Sequence, residues 1–190
     1  GTVTGLEILN PSKPESSIER YKTGYTYWGY SKEQLKWLAD EALGNLPEGY
    51  DVVFLSHMGI DNTTSGADFL GEELRGIIGA YQNKTEYVNA DFDINVDYTA
   101  EKGRIRSFQF GHTHYERKYY DSDIDLVQIN TGLSNAYTIT NGTRIFQSEA
   151  EAQFDVMSVT NDFVYKMTVG AAGTDLKAYY PIKTEAGDLN

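Results

Sequence analysis

Hydrophobic positions in the middle of the chain alternate between two periods. After Ser31-Lys32-Glu33-Gln34, the residues Leu35, Leu38, Ala39, Ala42 and Leu43 recur on one side of a 3.6-residue repeat. That pattern predicts a helix with Ser31 and Gln34 as a capping box and Gly44 as its stop. Pro47 and Gly49 then turn the chain into the apolar run 52–55. The run is too short for a helix and reads as a strand with both faces covered. A second helical stripe follows in Leu70, Leu74, Ile77, Ile78 and Tyr81, and residues 82–103 carry only partial alternation. Strands are expected over 104–110 and 124–131, and again over 154–159, 163–169 and 176–180, with Asn161-Asp162 as a tight hairpin. Near the start, 5–10 reads as a strand ending at Asn10-Pro11, and 11–30 as a polar, Tyr- and Gly-rich surface loop. The early β-α-β-α-β order followed by hairpins predicts an α/β layered architecture, a mixed sheet with a β-hairpin tail. No repeat or linker interrupts it, so 1–190 is expected to be one domain.

Composition narrows the partners. The chain has 190 residues, 40% of them hydrophobic, which is enough for a core. Its formal net charge of -12 excludes a nucleic-acid patch and argues against an anionic membrane surface. An acidic protein still binds a phosphate ester where metal ions supply the positive charge. With no cysteine, thiolate chemistry and Cys-based zinc sites are excluded. No apolar run reaches transmembrane length and no signal-peptide pattern opens the chain, so a soluble segment is expected. It begins at Gly1 rather than a methionine, with residues 3–9 already reading like a strand, from which we expect a piece of a longer polypeptide, any targeting segment lying outside it.

The chemistry centres on three histidines, His57, His112 and His114. Each follows a predicted strand, and ligand sites in α/β sheets gather at those carboxyl ends. In extended chain His112 and His114 point to the same side, about 6–7 Å apart at the base. That reach suits a pair of metal ions about 3.5–4 Å apart. A histidine at a strand end is ordinarily a turn or packing residue, so both readings stand on the pattern alone. Two weaker signals are read structurally. The stretch 91–97 begins like a calcium loop, but Val96 stands where such a loop needs Gly and Lys102 where it needs Glu, so a solvated strand edge is expected. Tyr25, Tyr27 and Tyr30 cluster in a loop and are read as surface packing, with a substrate cleft as the other reading.

Several stretches together resemble the calcineurin-like metallophosphoesterase family, in its bacterial form and in the family's order. Residues 52–57, Val-Val-Phe-Leu-Ser-His, resemble its strand ending in Ser-His, and residues 107–114 resemble its closing strand and Gly-His-x-His motif. The helix containing Glu33-Gln34-Leu35-Lys36-Trp37-Leu38 resembles the one that precedes the Ser-His strand. Residues 127–132 resemble the strand after the last motif, and Gly170-Ala171-Ala172-Gly173 the C-terminal strands. The resemblance implies the C-terminal half of a four-layer α-β-β-α sandwich. It also implies two divalent metals (Mn, Fe or Zn), with His57 and His112 on one and His114 on the other, and hydrolysis of phosphomono- or diesters by a metal-bridging hydroxide.

The departures from the family are of one kind. Its Asp-x-His, Gly-Asp-x-x-Asp and Asn-His motifs, which lie N-terminal, do not occur in this sequence. The expectation is therefore a partial domain lacking a contiguous front portion, with weak metal affinity and negligible hydrolase activity alone. Two rival readings are a non-catalytic binding or assembly module and a mononuclear zinc site built from the three histidines. A half-sandwich leaves sheet surface uncovered, so homodimerisation through that surface is expected.

Overall fold

Helix formation begins where the capping box places it. In the computed structural model, which describes residues 29–60, 70–112, 117–131, 147–148, 151–160, 163–170 and 176–181, helix α1 spans Lys32–Trp37. The Gln34 amide donates to Ser31 Oγ at 3.1 Å, and the Ser31 amide to Gln34 Oε1 at 2.9 Å. Two amide donors at the helix start are thereby satisfied. The helix widens into a π-helical segment, Leu38–Leu43. There the Ala39 carbonyl accepts from Gly44 N–H at 3.1 Å and from the Tyr98 hydroxyl at 3.0 Å. A strand β1, Val52–Leu55, precedes helix α2, Gly71–Asn83, whose Leu74, Ile77, Ile78 and Tyr81 are all buried.

The stretch that resisted assignment is a hairpin. Strand β2, Glu86–Asn89, pairs antiparallel with β3, Ile94–Asp97, across a 3₁₀ turn, Ala90–Phe92. Of the stretch 91–97, expected to be a solvated strand edge, only 94–97 is strand, while Asp91 and Phe92 lie in the 3₁₀ turn with Phe92 buried. Four more strands complete the N-terminal to middle order and the tail: β4, Ile105–Phe110; β5, Arg117–Asp121; β6, Leu126–Asn130; and β7, Gln153–Val159. The last two are β8, Phe163–Gly170, and β9, Leu176–Pro181.

The chain divides into two compact units, residues 1–52 with 57–105 and residues 53–56 with 106–190. In the first, α2 packs on β2, while β3 lies against the π-helical segment. Gly76 permits the close approach of helix and hairpin, because a Cβ there would meet the Tyr87 ring at 2.7 Å. Tyr81 and Tyr98 meet edge to face with ring centres 5.1 Å apart. The Gln82 side chain accepts from Ile105 N–H at 2.9 Å and donates to its carbonyl at 3.1 Å, so an amide side chain stands in for a strand partner where β4 begins.

The second unit holds two sheets. One has the order β1-β4-β6-β5, with β4 and β6 parallel and β5 antiparallel to β6. Val52 N–H donates to the Arg104 carbonyl and Ser56 N–H to the Gln109 carbonyl, an order that advances along both chains, so β1 and β4 also run parallel. The other sheet is the antiparallel meander β7-β8-β9. Val164 of β8 packs with Val127 and Ile129 of β6, and Met157 and Tyr120 border that contact. On the inward side of β8 sits a buried polar group. Lys166 Nζ lies 3.0 Å from Thr168 Oγ1 and 3.5 Å from Asp155 Oδ1, and the Thr168 hydroxyl donates to that carboxylate at 2.6 Å. The opposite charge and the hydroxyl offset part of the desolvation of a lysine that is 1% exposed.

One expectation is corrected. β1 is not covered on both faces: its burial alternates, with Val53 39% and Leu55 78% exposed. An all-apolar run predicts two covered faces, but β1 lies at the end of its sheet's strand order among the described residues, and one face of an edge strand can stay bare. The predicted strand at 5–10 and the loop at 11–28 lie outside the described residues, as does the turn pair Asn161-Asp162. The hairpin itself is present, closing through Thr160 N–H to the Phe163 carbonyl at 2.8 Å and Phe163 N–H to Thr160 Oγ1 at 3.0 Å. Among the described residues no helix is long and apolar enough to cross a membrane.

Candidate functional site

The site residues follow from how the strand ends are held. Phe108 and Phe110 of β4 stand in register with Gln128 and Asn130 of β6. Beyond that pairing, the Phe110 carbonyl accepts from Thr131 N–H at 2.8 Å and from the Thr131 hydroxyl at 3.2 Å. The end of β4 is thereby clamped by the residue just past β6. An aromatic row supports the same strands: Phe54 stacks on Phe108 at 5.4 Å, Phe108 meets Phe110 at 6.3 Å, and Phe110 meets Tyr119 at 6.4 Å. Such contacts add to simple area burial and hold neighbouring strands in register.

From this clamped end the chain leaves through Gly111 into His112. The turn is made at His112 itself, which sits at φ 68 in the left-handed region. That conformation is uncommon for a residue with a side chain, though histidine tolerates it better than most, and it is the kind of backbone outlier that collects at ligand sites. His112 is half-buried. His57 follows Ser56, whose N–H is fixed to the Gln109 carbonyl at 2.9 Å, and His57 is exposed. His57 thus comes two residues after the end of β1, and His112 two residues after the end of β4. His114 lies outside the described residues. Sequence reasoning passed over Thr131, the clamp; its only signal was its place at the end of an expected strand.

The fit to a pair of metal ions is tested by the donor set. Among the described residues no group of three or more His, Cys, Asp or Glu side chains could hold a metal ion. Two dications about 3.5–4 Å apart repel strongly and need bridging anionic oxygen. Neutral imidazoles carry no charge to offset that repulsion. The described donors do not make a two-metal centre.

The described elements define a mixed α/β protein with few helices and both parallel and antiparallel strand pairs. No protein-family model matches the chain, and no curated protein matches it in sequence. Among solved structures it is similar to a dimetal phosphatase from Danio rerio, at 16% sequence identity and a TM-score of 0.50. The match covers 83% of this chain and 39% of that one. The likeness is one of fold: the chain has a phosphoesterase-like fold and spans well under half the length of the phosphatase it matches.

Proposed function

We propose that these residues form the C-terminal portion of a metallophosphoesterase domain, one partial domain of the four-layer α-β-β-α kind. The intact enzyme hydrolyses phosphomono- or diesters with two divalent metals, Mn, Fe or Zn. His57, His112 and His114 supply its imidazole ligands, and carboxylates from the rest of the domain supply the anionic ones. The 190 residues alone are inactive. The observation that carries the reading is the fold likeness to a dimetal phosphatase over 83% of the chain. It is supported by the places of His57 and His112, two residues past the ends of β1 and β4 respectively.

A second reading is favoured by the donor set. A chain with no Asp-x-His, Gly-Asp-x-x-Asp or Asn-His is also what a non-catalytic binding or assembly module would carry. The two separate on one experiment. The coding sequence upstream of Gly1 is read, and the extended polypeptide is assayed on an aryl phosphate with added manganese. The enzyme reading expects the three motifs in order, and hydrolysis that His112→Ala abolishes. An extended polypeptide without the motifs and without hydrolysis supports the module.

A further inference from the structure

The last two carbonyls of β4 are tied to opposite neighbours. The Gln109 carbonyl accepts from Ser56 N–H at 2.9 Å, next to β1, and the Phe110 carbonyl from Thr131 N–H at 2.8 Å, next to β6. The Phe110 oxygen also takes the Thr131 hydroxyl, at 3.2 Å. A carbonyl oxygen has two lone pairs, and here one residue supplies a donor to each. Phe110 stands in register with buried Asn130, so Thr131 comes one step past the last registered pair.

Only Gly111 separates this anchor from His112, and the turn falls on the wrong residue for cheapness. Glycine takes positive φ at no steric cost. Yet among the described glycines positive φ falls on Gly49 and Gly170, while His112, beside Gly111, sits at φ 68. A residue with a side chain keeps such a backbone where its surroundings impose it. The Phe110 oxygen belongs to the planar peptide that enters Gly111, so holding the oxygen holds that plane.

We propose that Thr131 is a positioning residue: through its hydroxyl it locks the Phe110–Gly111 peptide, so that the left-handed turn falls on His112 and sets the direction of its imidazole. The placement of His112 stands on these hydrogen bonds, and its service to hydrolysis rests on the phosphoesterase reading. The two donors differ in what they require. Any residue but proline at 131 brings the N–H, whereas the hydroxyl needs threonine or serine there. Thr131→Val keeps the branched shape and the amide and deletes only the second donor. Thr131→Ser keeps both.

The test reads His112 in the 190-residue chain by nuclear Overhauser spectroscopy, since the contact between a residue's own amide proton and Hα is strongest at positive φ. Expected are a strong contact in wild type and in Thr131→Ser, and its loss in Thr131→Val. A threonine that merely stabilises the sheet would lower the urea midpoint of Thr131→Val and leave the His112 contact intact, and that result overturns the proposal. A wild type without the strong contact overturns it too, whether or not the valine variant folds. Hydrolysis of an aryl phosphate by the extended polypeptide gives the second readout. Thr131→Val should lower kcat roughly tenfold at unchanged KM, and Thr131→Ser should restore it. An unchanged kcat in the valine variant overturns the positioning role. An extended wild-type polypeptide with no hydrolysis refutes the phosphoesterase reading instead, and the His112 contact still decides the placement.

Discussion

Tyr81 shows what burial does to one side chain. The residue is fully buried, and its hydroxyl has no hydrogen-bond partner among the described residues. Burial first, and then the negative charges of Glu101 and Asp51, push its phenol up to about 12. The sign follows from linkage. A raised folded-state value gives a contribution that is complete below the unfolded value near 10 and is lost as pH rises through about 12. Urea melts of wild type should therefore lose stability across that window, and Tyr81→Phe should lose less. At neutral pH the same variant should be neutral or slightly stabilising, because the hydroxyl it removes is buried without a partner. Equal alkaline losses in the two proteins would contradict this account of Tyr81. None of this was legible beforehand: the helical spacing marked Tyr81 as a core position, but only the fold brings Glu101 and Asp51 near it. His112 teaches the same lesson. Its place after a strand was plain from the sequence, whereas the left-handed backbone at His112 had no signal in it.

At the scale of elements, local chemistry was a good guide wherever it was decisive. Ser31 and Gln34 announced the start of α1, and the reciprocal bonds are present. Ser31→Ala should cost about 1 kcal/mol, read as a shift in the urea midpoint, whereas Ser31→Asp, which still caps, should stay close to wild type. An unchanged midpoint for the alanine variant would mean that packing alone sets the helix start. The widening of the helix into π geometry had no local signal. It goes with a long-range partner, the Tyr98 hydroxyl, which binds the carbonyl that also accepts from Gly44. The hairpin of β2 and β3 was obscured because its inward residues, Tyr87, Asn89, Ile94 and Val96, mix polar with apolar, and a 3₁₀ turn breaks the alternation. Strand β5 escaped notice for a related reason: Arg-Lys-Tyr-Tyr-Asp lacks the apolar alternation of a covered strand, and its pairing with β6 is what makes it one. β1 erred the other way, its apolar run promising two covered faces where one is bare.

At the scale of the whole molecule, the α/β class and the mixed sheet were readable from the order of periods, and the likeness to a dimetal phosphatase agrees with them. The site is read from motifs, because three histidines define strand ends without defining a centre. What separates an enzyme from a scaffold here is anionic charge: imidazoles alone hold one cation more readily than two, since nothing neutralises the repulsion between a pair. The most direct test is a calorimetric titration of manganese into the 190-residue chain. The account predicts weak binding with no saturable two-ion stoichiometry. Two manganese ions bound tightly per chain would contradict it.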